Sequence, residues 1–255
     1  MSTTDLVTAE LTLTGRIRTA SNATFLGSIG EVTVVYKPIA GESPLWDFPD
    51  GTLAHREVAA YLVSETLGWD VVPHTWLRDG PLGEGMVQLW QEQDRNHSAV
   101  DLVATDDAPT TGWKHVLEGQ DQDGRMVTLI HEDSQALRRM AVFDLIVNNA
   151  DRKGDHVLAM TDGHRYGVDH GLTFHQDHKL RTVLWGWVGD GLTGDELDGV
   201  DRVSEGLHGD LGRHLADLLS AEEIAAFAAR CASLRSSSQF PAPNGEMPAV
   251  PWPLF

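Results

Sequence analysis

Between Asp151 and Asp169 the chain concentrates groups that can hold a cation or move a proton. Asp151, Arg152, Lys153, Asp155 and His156 crowd one loop, and Asp169 follows two short apolar runs, VLAM and HRYGVD. The Asp162-Gly163 pair between those runs is a strong hairpin signal. His156 precedes Asp162 by as many residues as Asp169 follows Gly163. A two-residue turn therefore predicts that His156 and Asp169 face each other, with Cβ atoms roughly 5 Å apart. Two potential metal ligands would then sit at one end of a rigid hairpin, with Asp151 on the loop that feeds it. Such a set suits phosphoryl transfer. That chemistry needs a carboxylate to orient the acceptor hydroxyl, metal ligands that bridge phosphates, and a Lys held by a Glu.

The elements that must position these groups are legible around them. EVTVVYKP (31–38) has the β-branched run of a strand and ends near Lys37. HREVAAYLVSETLG (55–68) reads as a helix that stops at Gly68, with Glu57 expected in its first turn, where a carboxylate suits the helix dipole. A strand Lys followed by a helix Glu is the order of the pair that grips nucleotide phosphates. ELTLTGRI (10–17) is an earlier strand, and the loop TASNATFLG (19–27) separates the two. Ser21, Asn22 and Ala23 in that loop are small enough for backbone N–H groups to approach phosphate oxygens. Neither GxxxxGK[ST] nor G-x-G-x-x-G is present. WDVVPHTWLRDG (69–80) and GEGMVQLWQE (83–92) are two further strands.

Elsewhere the expectations are plainer. Residues 1–9 read as a frayed terminus, and 91–133 as an irregular connector with one short helix near 98–104. Ser134 is placed to cap a buried helix that runs through Met140 to Val147. Asp144 inside that helix should pair with a cation or cap backbone. His175, Asp177 and His178 do not share a helical face and read as a solvent loop rather than a metal site. Arg181, Trp185 and Trp187 either contact an acceptor or pack. Helices are expected at 206–219 and 221–235, the second capped at Ser220. The Pro-rich tail (241–255) either drapes over the domain through Trp252 and Phe255 or stays disordered.

Asn149-Ala150-Asp151-Arg152, a hairpin, then Val168-Asp169-His170-Gly171-Leu172-Thr173-Phe174 resembles the catalytic segment of the phosphatidylinositol 3-/4-kinase-like branch of the protein-kinase-like fold. The pattern is nearest to that of the type II phosphatidylinositol 4-kinases, N-x-D-R-x-x-x-N followed by I-D-x-G-x-x-F. Lys37-Pro38, then Glu57 with Ala60, Tyr61 and Val63 behind it, is similar to that family's K-P…E-x-x-A-Y-x-L. The resemblance spans roughly residues 10–185. It implies a two-lobed α+β fold, with a small β-rich N-lobe (1–90) and a larger, mostly helical C-lobe (91–255). It further implies ATP as nucleotide, Mg²⁺ or Mn²⁺ as cofactor, and transfer of the γ-phosphoryl group to a hydroxyl acceptor, protein or small molecule. Asp151 would be the catalytic-loop aspartate, aided by Arg152 or Lys153 at the transferred group. Asp169, with His156 or Asp155, would hold the metal. Gln88, Leu89 and Trp90 would form the hinge that meets adenine. His156 stands where the family has Asn, a departure, because Mg²⁺ prefers oxygen and imidazole suits softer metals. That departure also fits a nucleotide-binding pseudokinase. Metal-dependent hydrolysis is a third reading, but it leaves Lys37 and Glu57 without a task.

Composition bounds the rest. The 255 residues allow one large domain or two lobes around a cleft, and 41% hydrophobic residues supply a core. A net charge of −19 argues against a nucleic-acid partner and against adsorption to anionic lipid. Cys231 is the only cysteine, which leaves no intrachain disulfide, and its apolar surroundings mark it as core. The sequence shows no signal pattern and no run of about 18 apolar residues, so a soluble cytoplasmic protein is expected. Acidity combined with abundant Ala, Asp and Gly fits a high-GC bacterium.

Overall fold

The computed structural model describes residues 3–17, 22–43, 45, 48, 52–245 and 248–255. A short helix, α1 (Thr3–Thr8), leads into β1 (Leu11–Arg16), β2 (Phe25–Ile29) and β3 (Val32–Pro38). Helix α2 (Leu53–Leu67) follows, then β4 (Thr75–Gly80) and β5 (Gly83–Leu89). The five strands form one antiparallel sheet in the order β1-β2-β3-β5-β4. Alternation sorts the side chains of β3. Val34 and Tyr36 are buried with Leu11, Ile29, Trp76 and Val87, whereas Val35 and Lys37 point the other way, into a cleft. Helix α2 lies against the sheet through Ala54, Val58 and Met86. It stops where Gly68 takes a left-handed φ of 70° and donates back to Glu65.

Two expectations are corrected here. Residues 3–9 of the segment expected to fray are ordered, because the Arg78 guanidinium donates to the Leu6 and Ala9 carbonyls and ties α1 to the sheet. Phe25–Ile29 is a strand rather than the end of a loop, so three strands, not two, precede α2. Its Gly27 and Ser28 weaken the strand signal.

The second part opens with a three-stranded sheet of order β6-β8-β7, made of β6 (Val100–Ala104), β7 (Trp113–Gln120) and β8 (Met126–Glu132). This replaces the expected irregular connector, and β6 occupies the place of the expected short helix. The sheet buries little of β6 and β7, so their exposed positions carry Asp101, His115, Glu118 and Gln120 and blur the period-2 pattern. Helix α3 (Gln135–Val147) begins as expected at Ser134, whose hydroxyl accepts from the Leu137 amide, and it runs through the core. The short hairpin β9 (Val157–Ala159) and β10 (Arg165–Gly167) comes next, then α4 (Gly194–Gly206), α5 (Asp210–Ala216) and α6 (Ala221–Ser237). The helix expected at 206–219 is thus displaced. Thr193 and Glu196 form a capping box that starts α4, and the Gly206–Gly209 stretch breaks the helix before α5.

An antiparallel β-rich part followed by a helical part is the α+β arrangement the sequence implies. Cys231 is buried in the core, as expected. Among the described residues, no helix is long and apolar enough to cross a membrane.

Candidate active site

Lys37 comes from β3, Glu57 from α2 and Asp169 from the chain just past β10. The three meet in the cleft. Lys37 Nζ donates to Glu57 Oε1 at 2.6 Å and to Asp169 Oδ1 at 2.7 Å. The second oxygen of Glu57 accepts from the His170 amide at 2.9 Å. One carboxylate therefore clamps the strand lysine to the segment that carries Asp169. Glu57 lies in the second turn of α2, not the first, because the helix starts two residues earlier than expected. The α2 N-terminus is satisfied instead by Glu42, whose carboxylate accepts from the Leu53 and Ala54 amides at 3.0 and 2.8 Å. Burial alone would lower the Lys37 pKa, but the charges of Asp169 and Glu57 hold it well above the ordinary lysine range. The Lys37 charge in turn holds Asp169 well below the usual carboxylate range.

The hairpin brings His156 and Asp169 together, though not in the expected register. Gly167 pairs with Val157, and the Val168 amide donates to the His156 carbonyl at 3.0 Å. His156 is thus opposite Val168, one residue away from the expected partner. The turn holds three residues, closed by Met160 and His164, with Gly163 at φ 90°. Asp169 recovers the approach because its own left-handed φ of 61° turns the carboxylate back into the cleft.

His156 Nδ1 lies 2.8 Å from the Asp151 carbonyl oxygen, a bond that assigns the ring proton to Nδ1. Burial keeps the imidazole pKa below its ordinary value, so the ring is neutral near pH 7. Nε2 then presents a lone pair to Asp169 Oδ2 at 3.5 Å. Two acceptors facing each other, with the imidazole oriented by a backbone carbonyl, fit a divalent cation. Among the described residues no group of three or more His, Cys, Asp or Glu stands ready to hold a metal, so the remaining ligands would be phosphate oxygens and water. Asp155 is exposed on the wall of the same cavity.

The catalytic-loop candidates separate by alternation. Asp151 to Lys153 is extended, ahead of a 3-10 turn at Gly154–His156, and the side chains alternate: Arg152 is buried, while Asp151 lines the cleft with Lys153 beside it. Lys153 Nζ lies 3.2 Å from Asp151 Oδ2. Burial raises the Asp151 carboxyl pKa, and Lys153 and His156 oppose that rise. Arg152 does not belong to the reacting set. Its guanidinium is fully buried and chelates Asp144, with Nε–Oδ2 and Nη2–Oδ1 both at 2.9 Å. It also reaches the His156 carbonyl at 3.1 Å and His170 Nε2 at 2.7 Å. Asp144 therefore has the cation its helix position required, and Arg152 is the strut beneath the hairpin.

Two cavities meet at Lys37 and Asp169. The larger, about 400 Å³, lies between β3, β5 and the hairpin, and takes in His156, Gln88, Leu89 and Trp90. The Gln88 side chain donates to Thr75 Oγ1, so that residue faces the cavity chiefly through its backbone, while the Trp90 ring is partly exposed. The smaller cavity, about 150 Å³, is lined by Asp151, Glu42, Asn22 and Leu172. Asn22 belongs to this smaller space, where its Oδ1 accepts from the Ser43 amide at 2.8 Å. Ser21 lies outside the described residues. Glu42, Ser43 and Leu172 carried no sequence signal, since cavity walls assembled from separate loops have no fixed spacing.

The other candidates pack. Trp187 is buried against His131, and its indole N–H donates to Asp133. Trp185 donates to the Ala249 carbonyl, and Arg181 to the Ala150 carbonyl. The 175–179 segment is a loop tied to the end of α3 by Asn148. The tail drapes over the 151–156 loop through Leu254, whose carbonyl accepts from the Gly154 amide, and through the Phe255 ring. That ring lies against Gly154, where a Cβ would collide; Trp252 is exposed.

No family model matches the chain. It is 50% identical over 262 residues to Protein Rv2133c of Mycobacterium tuberculosis (strain ATCC 25618 / H37Rv), covering 98% of this chain and 94% of that protein. The chain belongs to the Rv2133c family. Among solved structures, the Helicobacter pylori proinflammatory kinase CtkA superposes with a TM-score of 0.46 at 12% identity, over 92% of this chain and 94% of that one. So loose a superposition says nothing about chemistry in the Rv2133c family, which rests on the side chains themselves.

Proposed function

We propose that the chain is an ATP-dependent phosphotransferase of the kinase type. One observation carries the reading: Lys37 joins Glu57 and Asp169 where two cavities meet, with His156 in one and Asp151 in the other. The larger cavity is of a size for a nucleotide, with adenine against the Gln88–Trp90 edge and phosphates toward Lys37. The order Asn149–Arg152, hairpin, Val168–Phe174 supports placing it beside the phosphatidylinositol 3-/4-kinase-like enzymes. Asp169 and His156 would hold a divalent cation, which supplies charge neutralisation for the phosphates when bound.

The residues of the chain do the rest. Lys37, aligned by Glu57, binds phosphate oxygens. Asp151 orients the acceptor hydroxyl and takes its proton as the new O–P bond forms and the bond to the ADP oxygen breaks. Lys153 balances charge beside Asp151. The pair of cation ligands, in place of a fuller set, is the specific observation that favours a nucleotide-binding pseudokinase instead.

Titration with ATP and Mg²⁺ or Mn²⁺, together with transfer from γ-labelled ATP, separates the readings. The kinase binds ATP and transfers, and Asp151→Ala and Asp169→Ala abolish transfer while the fold survives. Binding without transfer supports the pseudokinase. Wild-type transfer in either variant ends the kinase reading.

A further inference from the structure

The smaller cavity says what kind of acceptor the site can take. This step rests on the kinase reading and narrows it. Asp151 lines the smaller cavity and not the larger, so the acceptor hydroxyl must be presented from that side. Four carboxylates, Glu42, Glu57, Asp151 and Asp169, line this space, and among the described residues Lys37 is the only cationic side chain that does. Adding Lys153 on Asp151 leaves four negative charges against two positive ones. A bound triphosphate, even with its divalent cation, would add net negative charge across Lys37. An acceptor carrying phosphate or carboxylate would meet like charge here and find, among the described lining residues, no arginine fork of the kind that recognises such groups.

The space is also small. Its volume is about 150 Å³, against about 400 Å³ for the larger cavity. The remaining wall is largely apolar, with Pro38, Leu45, Leu53 and Leu172 placed to pack on a short carbon skeleton. We propose that the acceptor is a small alcohol without negative charge, a neutral polyol or an amino alcohol, seated between Asp151 and Glu42.

The test is an acceptor panel assayed with the full chain, ATP and Mg²⁺ or Mn²⁺, following ADP release and the labelled product. Pairs differ in the charged group they carry: glycerol against glycerol 3-phosphate, ethanolamine against glycolate, and inositol against an inositol phosphate. A serine peptide and phosphatidylinositol vesicles complete it. The expected result is transfer to neutral or amine-bearing members, with kcat/KM at least tenfold above their anionic partners. Ser43→Lys, at the exposed rim of the smaller cavity, should reduce that preference about fivefold or more. Transfer mainly to anionic compounds, to the peptide or to the vesicles overturns the acceptor class and leaves the kinase intact. Selectivity that Ser43→Lys does not move overturns the placement in this cavity. No ATP binding and no transfer overturn both readings.

Discussion

Replacing Arg152 by Met tests whether that guanidinium is a strut or a reacting group. Arg152 and Asp144 are both fully buried. Without the guanidinium, Asp144 keeps only Asn149 Nδ2 at 3.0 Å and Thr182 Oγ1 at 3.4 Å. His170 Nε2 also loses its donor, and the His156 carbonyl is left with the Val168 amide. Breaking a buried ion pair from one side costs about 3–5 kcal/mol, because an uncompensated charge stays behind. In a chain of this size each kcal/mol moves Tm by about 2–4 °C, so Arg152→Met should melt roughly 6–20 °C lower. The double variant Asp144→Leu/Arg152→Met removes both charges and should recover part of that loss. Differential scanning calorimetry on the two variants measures both numbers. A melting temperature within about 2 °C of wild type, with transfer lost, would refute the strut and return Arg152 to the cleft.

Acidity should weaken the fold in a window set by buried histidines. Burial holds His131, at about 4, and His170 below the ordinary histidine value, so both stay neutral in the fold while the unfolded chain takes up protons near pH 6.5. Their contribution is complete above that pH and is lost as pH falls below it, by roughly 2 kcal/mol for His131 between pH 6.5 and 4.5; urea midpoints that stay flat across this interval contradict it. Lys153→Met removes the charge that opposes the raised Asp151 pKa, so the acid limb of kcat/KM should move to higher pH, and an unmoved limb separates Asp151 from the proton transfer. Gly154→Ala drives a Cβ into the Phe255 ring and should cost about 1–3 kcal/mol. Faster hydrogen exchange at 249–255 is the expected signature, and unchanged exchange would show that the tail does not depend on that contact.

The local elements of the site were legible because their signals are local. β-Branched residues mark β3, Gly68 ends α2, Ser134 opens α3 and Asp162-Gly163 marks a hairpin. The order of Lys37, Glu57, Asp151 and Asp169 along the chain was likewise enough to expect a shared cleft. Features governed by burial were not. Arg152 and Lys153 are both cationic neighbours of Asp151, and only the alternation of an extended chain packed against α3 decides which faces the core. The hairpin register slipped by one residue because the choice of a three-residue turn follows from how the strand ends are held. The sheet of β6, β7 and β8 went unseen because its outward residues answer to water. Tertiary structure alone made two cavities of one charged cluster, with Asp151 on one side of the Lys37–Asp169 contact and His156 on the other. Spacing along a chain fixes which side chains share an element, but a cavity is enclosed by elements whose separation in sequence carries no period.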